Sequence, residues 1–118
     1  MNGVKRWQAL GRLPKQQMNN TEAAYAKVLE ARRVAGEVLF WKFHPMNVRL
    51  AGGCFYEVDF LVMTAEMTLE IHEVKGGYTS EKGQIKIKLA AQALPIFRMV
   101  KVTKQAKKDG GGWKYEDF

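Results

Sequence analysis

Between Asn19 and Gly36 the small and apolar residues Ala24, Tyr25, Val28, Leu29, Ala31 and Ala35 recur at steps of three and four, the spacing that lines one face of a helix. Asn19, Asn20 and Thr21 offer N-caps and Gly36 a stop, so the segment predicts an amphipathic helix. The period then shortens. Val38–His44 is a short aromatic run stopped by Pro45, and Asn47–Leu50 precedes Gly52-Gly53; both predict strands. Phe55–Met63 is rich in β formers and reads as one strand, with Thr68–Lys75 alternating as its partner across a hairpin loop at Thr64–Met67. After Gly76-Gly77, a second helix is predicted over Lys82–Leu94, with Ile85, Leu89, Ala90, Ala93 and Leu94 on one side and Pro95 as its end, followed by a strand over Ile96–Val102.

The two ends lack such periodicity. Residues 1–18 carry Lys5, Arg6, Arg12 and Lys15 among Trp7 and Leu10, broken by Gly11 and Pro14, and read as a basic arm. Residues 104–118 hold Gly110, Gly111 and Gly112 in a row and read as a loose tail whose Trp113, Tyr115 and Phe118 are free to dock on the body. Between them, residues 19–103 form a single core domain. Its helix, strands, helix and strand imply a mixed α/β layer structure.

Composition narrows the classes. A chain of 118 residues, 47% hydrophobic, suits one core and argues against a multidomain enzyme. The single cysteine, Cys54, excludes an internal disulfide framework and a cysteine zinc finger, which makes a reducing cytoplasm the expected compartment. No apolar window of about 18 residues exists, so neither a membrane span nor an export signal is expected. Nineteen basic residues against twelve acidic ones, net +7, favour an anionic partner, with nucleic acid the first expectation.

The candidate chemistry lies in the two central strands. Residues two apart share a strand face, so Glu73 and Lys75 project together, and so do Glu57 and Asp59 on the preceding strand. If the strands pair, Asp59 meets Glu73 and Lys75 at the end marked by Gly76-Gly77. Two carboxylates with a backbone carbonyl, that of Val74, suit Mg²⁺, a hard cation that keeps several waters. Lys75 beside them is placed to orient a water, to assist its deprotonation or to neutralise charge on a phosphoryl group. The chemistry expected is metal-assisted phosphodiester hydrolysis.

An acidic-x-Lys triplet alone is common, but here it closes a strand, follows a second acid and precedes glycine. Asp59, then Glu73-Val74-Lys75-Gly76, preceded by a helix bearing Glu22 and followed by a lysine-rich helix and a strand, resembles the PD-(D/E)XK nuclease superfamily. With Thr21-Glu22, Tyr56–Phe60 and the Lys86–Ala91 run ending in Pro95, the chain is similar to small phage-encoded nucleases of the endonuclease I or Holliday-junction-resolvase type. The resemblance covers residues 19–102 and departs from the name-giving pattern at Val58, where a proline would stand. It implies a restriction-endonuclease-like core, a mixed β-sheet flanked by helices, and an Mg²⁺-dependent DNA endonuclease, Mn²⁺ substituting, that leaves a 5′-phosphate. By position, Asp59 and Glu73 correspond to the metal-binding acids, Lys75 to the catalytic lysine, and Glu22 to the glutamate completing the metal site. Gln84 and Lys86, with Lys82, Lys88 and Arg98, stand as the DNA-contacting set. A branched substrate needs paired nicks and hence a homodimer, and a phage or prophage protein would act in the cytoplasm of its bacterial host.

Bland readings stand beside these. Asn19 and Glu22 have capping-box spacing, which would make Glu22 structural; Glu73 and Lys75 would serve equally as a surface ion pair; and Glu57 rivals Asp59. His72 faces away from Glu73, and His44 sits before Pro45 in a turn, so both are expected to be structural or phosphate-contacting. Lys101, Lys104, Lys107 and Lys108 form a basic run expected on a solvated face. The rival to catalysis is a noncatalytic basic nucleic-acid-binding protein.

Overall fold

The computed structural model describes residues 18–118. The basic arm, apart from Met18, lies outside the described residues, and Met18 itself packs against the core. Two helices, α1 (Asn20–Val34) and α2 (Glu81–Ala93), accompany seven strands: β1 (Val38–Phe43), β2 (Asn47–Ala51), β3 (Cys54–Glu57), β4 (Phe60–Thr64), β5 (Leu69–Lys75), β6 (Arg98–Lys104) and β7 (Trp113–Asp117). The fold is α/β. Five strands form a mixed sheet in the order β1-β4-β5-β6-β7, and β2-β3 form a separate hairpin. Only β5 and β6 run parallel, a pairing that requires the crossover α2 supplies.

The sheet's pleat sorts the core into two layers. Val74, Val100 and Val102 join Tyr25 and Leu29 of α1, whereas Ile71 and Met99, on the other face, join Ile87 and Ala90 of α2. Both faces of the sheet are thus covered. Across the α1 layer runs a polar chain: the Tyr25 hydroxyl lies 2.6 Å from His72 Nδ1, and His72 Nε2 lies 2.8 Å from Glu70. Arg98 then donates to Glu70 at 3.1 Å and to both oxygens of Asp117. Each buried polar group in that chain is satisfied, which removes the penalty for burying it.

Four expectations need correction. Phe55–Met63 is not one strand: it breaks at Val58-Asp59, where Val58 N–H donates to the Met46 carbonyl and His44 N–H to that of Asp59, so the chain steps from the small hairpin into the main sheet. The residues after 104 are no loose tail. A short 3-10 turn at Lys107–Asp109 and three glycines at positive φ (98°, 67° and 71°) reverse the chain, and β7 pairs antiparallel with β6. Positive φ at three successive positions is tolerated by glycine alone, which gives that cluster its purpose. Lys101 does not sit on a solvated face: as the register neighbour of Glu73 on a central strand it is only 6% exposed. The last predicted strand also begins two residues late, at Arg98, leaving Ile96 exposed.

Candidate metal centre at the end of strand β5

The β4–β5 hairpin fixes the centre. Its register pairs Phe60 with His72, which brings Asp59, one residue earlier, level with Glu73. Asp59 Oδ2 accepts the Val74 N–H at 2.9 Å. On the neighbouring position, Lys75 Nζ lies 3.0 Å from Glu73 Oε2, and the Tyr56 hydroxyl donates to Glu73 Oε1 at 2.6 Å. Asp59, Glu73 and Lys75 therefore converge as their spacing predicts. Tyr56 is an addition; its position two residues before the break in the Phe55–Met63 run conceals its role in sequence.

A second set closes on Asp59 from the other side. One ligand atom each from Glu22, His44 and Asp59 lies within 4.8 Å of the others, and His44 Nε2 is 3.8 Å from Asp59 Oδ1. His44 holds a positive φ of 46° and stacks on Phe43 with ring centroids 3.7 Å apart. Left-handed backbone at a non-glycine residue is uncommon and clusters at functional positions. The sequence signal was the His44-Pro45 stop, but the β1–β4 register that aims it at Asp59 is non-local. Glu57 stands at the margin of the centre: its side chain is exposed and its strand pairs with β2 in the small hairpin, while its Oε1 lies 3.7 Å from His44 Nδ1, on the side of the ring away from the Asp59 contact.

Glu22 serves both readings. Asn19 and Glu22 form the full capping box, with Glu22 Oε1 accepting the Asn19 N–H at 3.0 Å and Asn19 accepting the Glu22 N–H at 2.8 Å. A carboxylate has a second oxygen, so the cap leaves Glu22 able to face a cation. The two roles separate in Glu22→Gln. Glutamine preserves a capping box, so the unfolding free energy without metal should stay within about 0.5 kcal/mol of wild type. Divalent-cation affinity by calorimetry should fall by roughly tenfold or more, as for other groups that tune a metal site. Unchanged affinity would reduce Glu22 to a cap.

The electrostatics of the cluster favour a proton or a cation beside Asp59. Burial, then Glu73, raises the Asp59 carboxyl, with Glu22 adding to the effect; the Val74 N–H and Lys75 pull against them, and the result is about 8. Burial opposes the charge on Lys75, but Glu73, Asp59 and Glu22 together outweigh it and hold the ammonium above the ordinary lysine range. Lys75 is thus a proton donor in the metal-free protein, which favours orienting or charge-neutralising roles over proton abstraction. Oxygen-rich donors with one imidazole suit Mg²⁺ or Mn²⁺, and the donor set present fits such an ion.

Of the expected DNA-contacting residues, Lys86 lines a cavity of about 210 Å³ with Tyr56, Glu73 and Lys75. Gln84 is near the start of α2 with its Oε1 buried and unpartnered, and Lys82 and Lys88 are exposed. Lys88 borders a different cavity beside Asp117 and Phe118. Arg98 pairs with Glu70 and Asp117 and is the register neighbour of Glu70, whereas Lys75 is matched to Thr103. Five residues of strand, about 16 Å, separate Arg98 from the centre.

No protein-family model, characterised protein or solved structure matches this chain. No helix among the described residues is long and apolar enough to cross a membrane.

Proposed function

We propose that the chain is a metal-dependent DNA endonuclease of the PD-(D/E)XK type, its mixed sheet and flanking helices forming a restriction-endonuclease-like core. The observation that carries the reading is the convergence of Asp59, Glu73 and Lys75 at the end of β5, with Glu22 and His44 closing on Asp59. Asp59 and Glu73, assisted by Glu22 and His44, would hold Mg²⁺ or Mn²⁺. A cation there supplies charge neutralisation at a scissile phosphate and acidifies water for attack. Tyr56 and Lys75 fix the two oxygens of Glu73, so this carboxylate is oriented before any ligand arrives. Lys75 presents its ammonium toward the same space, where it orients the nucleophile and meets charge building on the phosphoryl oxygens.

The test is incubation of the protein with supercoiled, linear and four-way-junction DNA, with Mg²⁺, with Mn²⁺ and with chelator. Wild type should nick at least one substrate only when a cation is present. Lys75→Ala should lose roughly 10²–10³-fold, the scale for removing one donor aimed at developing charge. DNA binding without nicking on any substrate would leave a noncatalytic binding protein and overturn the enzyme.

A further inference from the structure

The β6–β7 hairpin that replaces the expected tail stands directly beside the metal centre. Lys75 of β5, Thr103 of β6 and Lys114 of β7 occupy one transverse row, since Lys75 is matched to Thr103 and Thr103 to Lys114. In-register neighbours share a sheet face, and strands lie about 4.8 Å apart, so Lys114 stands about 10 Å from Lys75 on the same side. Beyond this row the Gly76–Gly77 turn faces the loop of the hairpin across a cavity of about 490 Å³.

The lining of that cavity is suited to phosphate. Lys104, Lys107 and Lys114 border it, with Asp109 the sole carboxylate in its lining. Among the described residues the Lys104 and Lys107 side chains have no ion-pair partner, and that of Lys114 has only Glu116 at 3.9 Å. Thr103 belongs to the same lining, and its Oγ1 is buried without a hydrogen-bond partner. On the opposite wall, Gly77 has a φ of 152° and open space where a Cβ would project, so bare backbone faces the cavity. Three lysines around a cleft beginning one residue past the candidate catalytic lysine suit consecutive phosphates.

We propose that this cavity seats the DNA backbone phosphates adjoining the reacting one. The hairpin is then the second wall of the substrate groove. The inference rests on the nuclease reading for the identity of the reacting phosphate, whereas the binding surface is measurable without cleavage.

The experiment is fluorescence anisotropy with labelled duplex and four-way-junction DNA, in chelator, over a series of KCl concentrations. Each phosphate contact contributes about 0.9 to the slope of log affinity against log salt. Combined Lys104→Ala, Lys107→Ala and Lys114→Ala should lower the slope by about two to three and the affinity by about tenfold or more. Lys27→Ala, an exposed change on α1, should leave the slope at the wild-type value. Circular dichroism checks folding, and Lys107→Glu alone, on the exposed turn, gives a second reading that does not depend on β7. A triple variant with the wild-type slope would overturn the proposal, as would a wild type that binds no DNA. Saturable binding of inorganic phosphate without DNA affinity would also overturn it. A protein that binds DNA through these lysines but never nicks would keep this site and reject the nuclease.

Discussion

Asp59→Asn should abolish metal-dependent nicking and, at the same time, stabilise the metal-free protein at alkaline pH. The first effect follows from removing a charged donor shared by both halves of the centre; a loss of more than roughly 10³-fold is the scale for a member of a cooperating catalytic set. The second follows from linkage. In an unfolded chain Asp59 releases its proton near the ordinary aspartate value of 3.8, whereas burial and the neighbouring Glu73 hold the proton in the folded protein up to about 8. The folded state therefore binds more protons over that interval, and stability declines as pH rises from about 4 to about 8. Asparagine is always neutral and still accepts the Val74 N–H. Below pH 4 the two proteins should melt together. At pH 8 in chelator the variant should be more stable by several kcal/mol, about 5 if the whole interval is expressed, which is roughly ten degrees or more in melting temperature. Added Mg²⁺ should raise wild type and leave the variant nearly unmoved, because only the ionised carboxylate offers a full charge. Parallel melting curves for the two proteins across this pH range would remove the electrostatic argument for a cation.

Lost activity together with gained stability would mark a strained functional centre rather than a structural ion pair. A surface Glu73–Lys75 pair, the bland alternative, would be exposed and contribute little. Glu73 instead is 6% exposed and bonded by both Tyr56 and Lys75.

What the sequence made legible were the local features. The helix starting at Asn19 is announced by its own cap, and the β4–β5 hairpin by alternation around a four-residue loop, so Asp59, Glu73 and Lys75 could be brought together from pleat parity alone. His72 was set aside on the same argument, and it does face α1, bonded to Tyr25. What escaped depends on pairings between distant segments. His44 reaches Asp59 because Phe43 pairs with Phe60, a register that no short-range pattern specifies. The break at Val58 depends on a carbonyl from Met46. Lys101 looks solvent-facing in a basic run, yet its strand lies inside the sheet between β5 and β7 and the residue is buried.

Removing residues 105–118 should unfold the domain or drive it to aggregate, whereas a loose tail would be dispensable. Strand β7 covers the outer edge of β6 with five paired positions, so its loss exposes a row of unpaired backbone groups, a template for association. It also strips packing from the core. The Trp113 ring meets that of Tyr25 edge-on at 5.1 Å and packs against the cluster containing Val102 and Val74. Asp117 leaves with the strand, so Arg98 loses its bidentate partner and the polar chain through Glu70 and His72 opens to water. Phe118 N–H, which donates to the Met99 carbonyl, goes as well. Trp113→Ala isolates the packing share: because the ring is half-buried, a loss of about 2 kcal/mol is expected, below the 3–5 typical of a fully buried aromatic. The full truncation removes that contact, the ladder and the ion pair together, and exceeds the reserve of about 5–15 kcal/mol of a small domain at its lower end. Thermal melts and light scattering of the three proteins decide it. A truncated chain that melts cooperatively near wild type and remains monodisperse would return residues 105–118 to the status of a tail, and the substrate groove would lose its second wall.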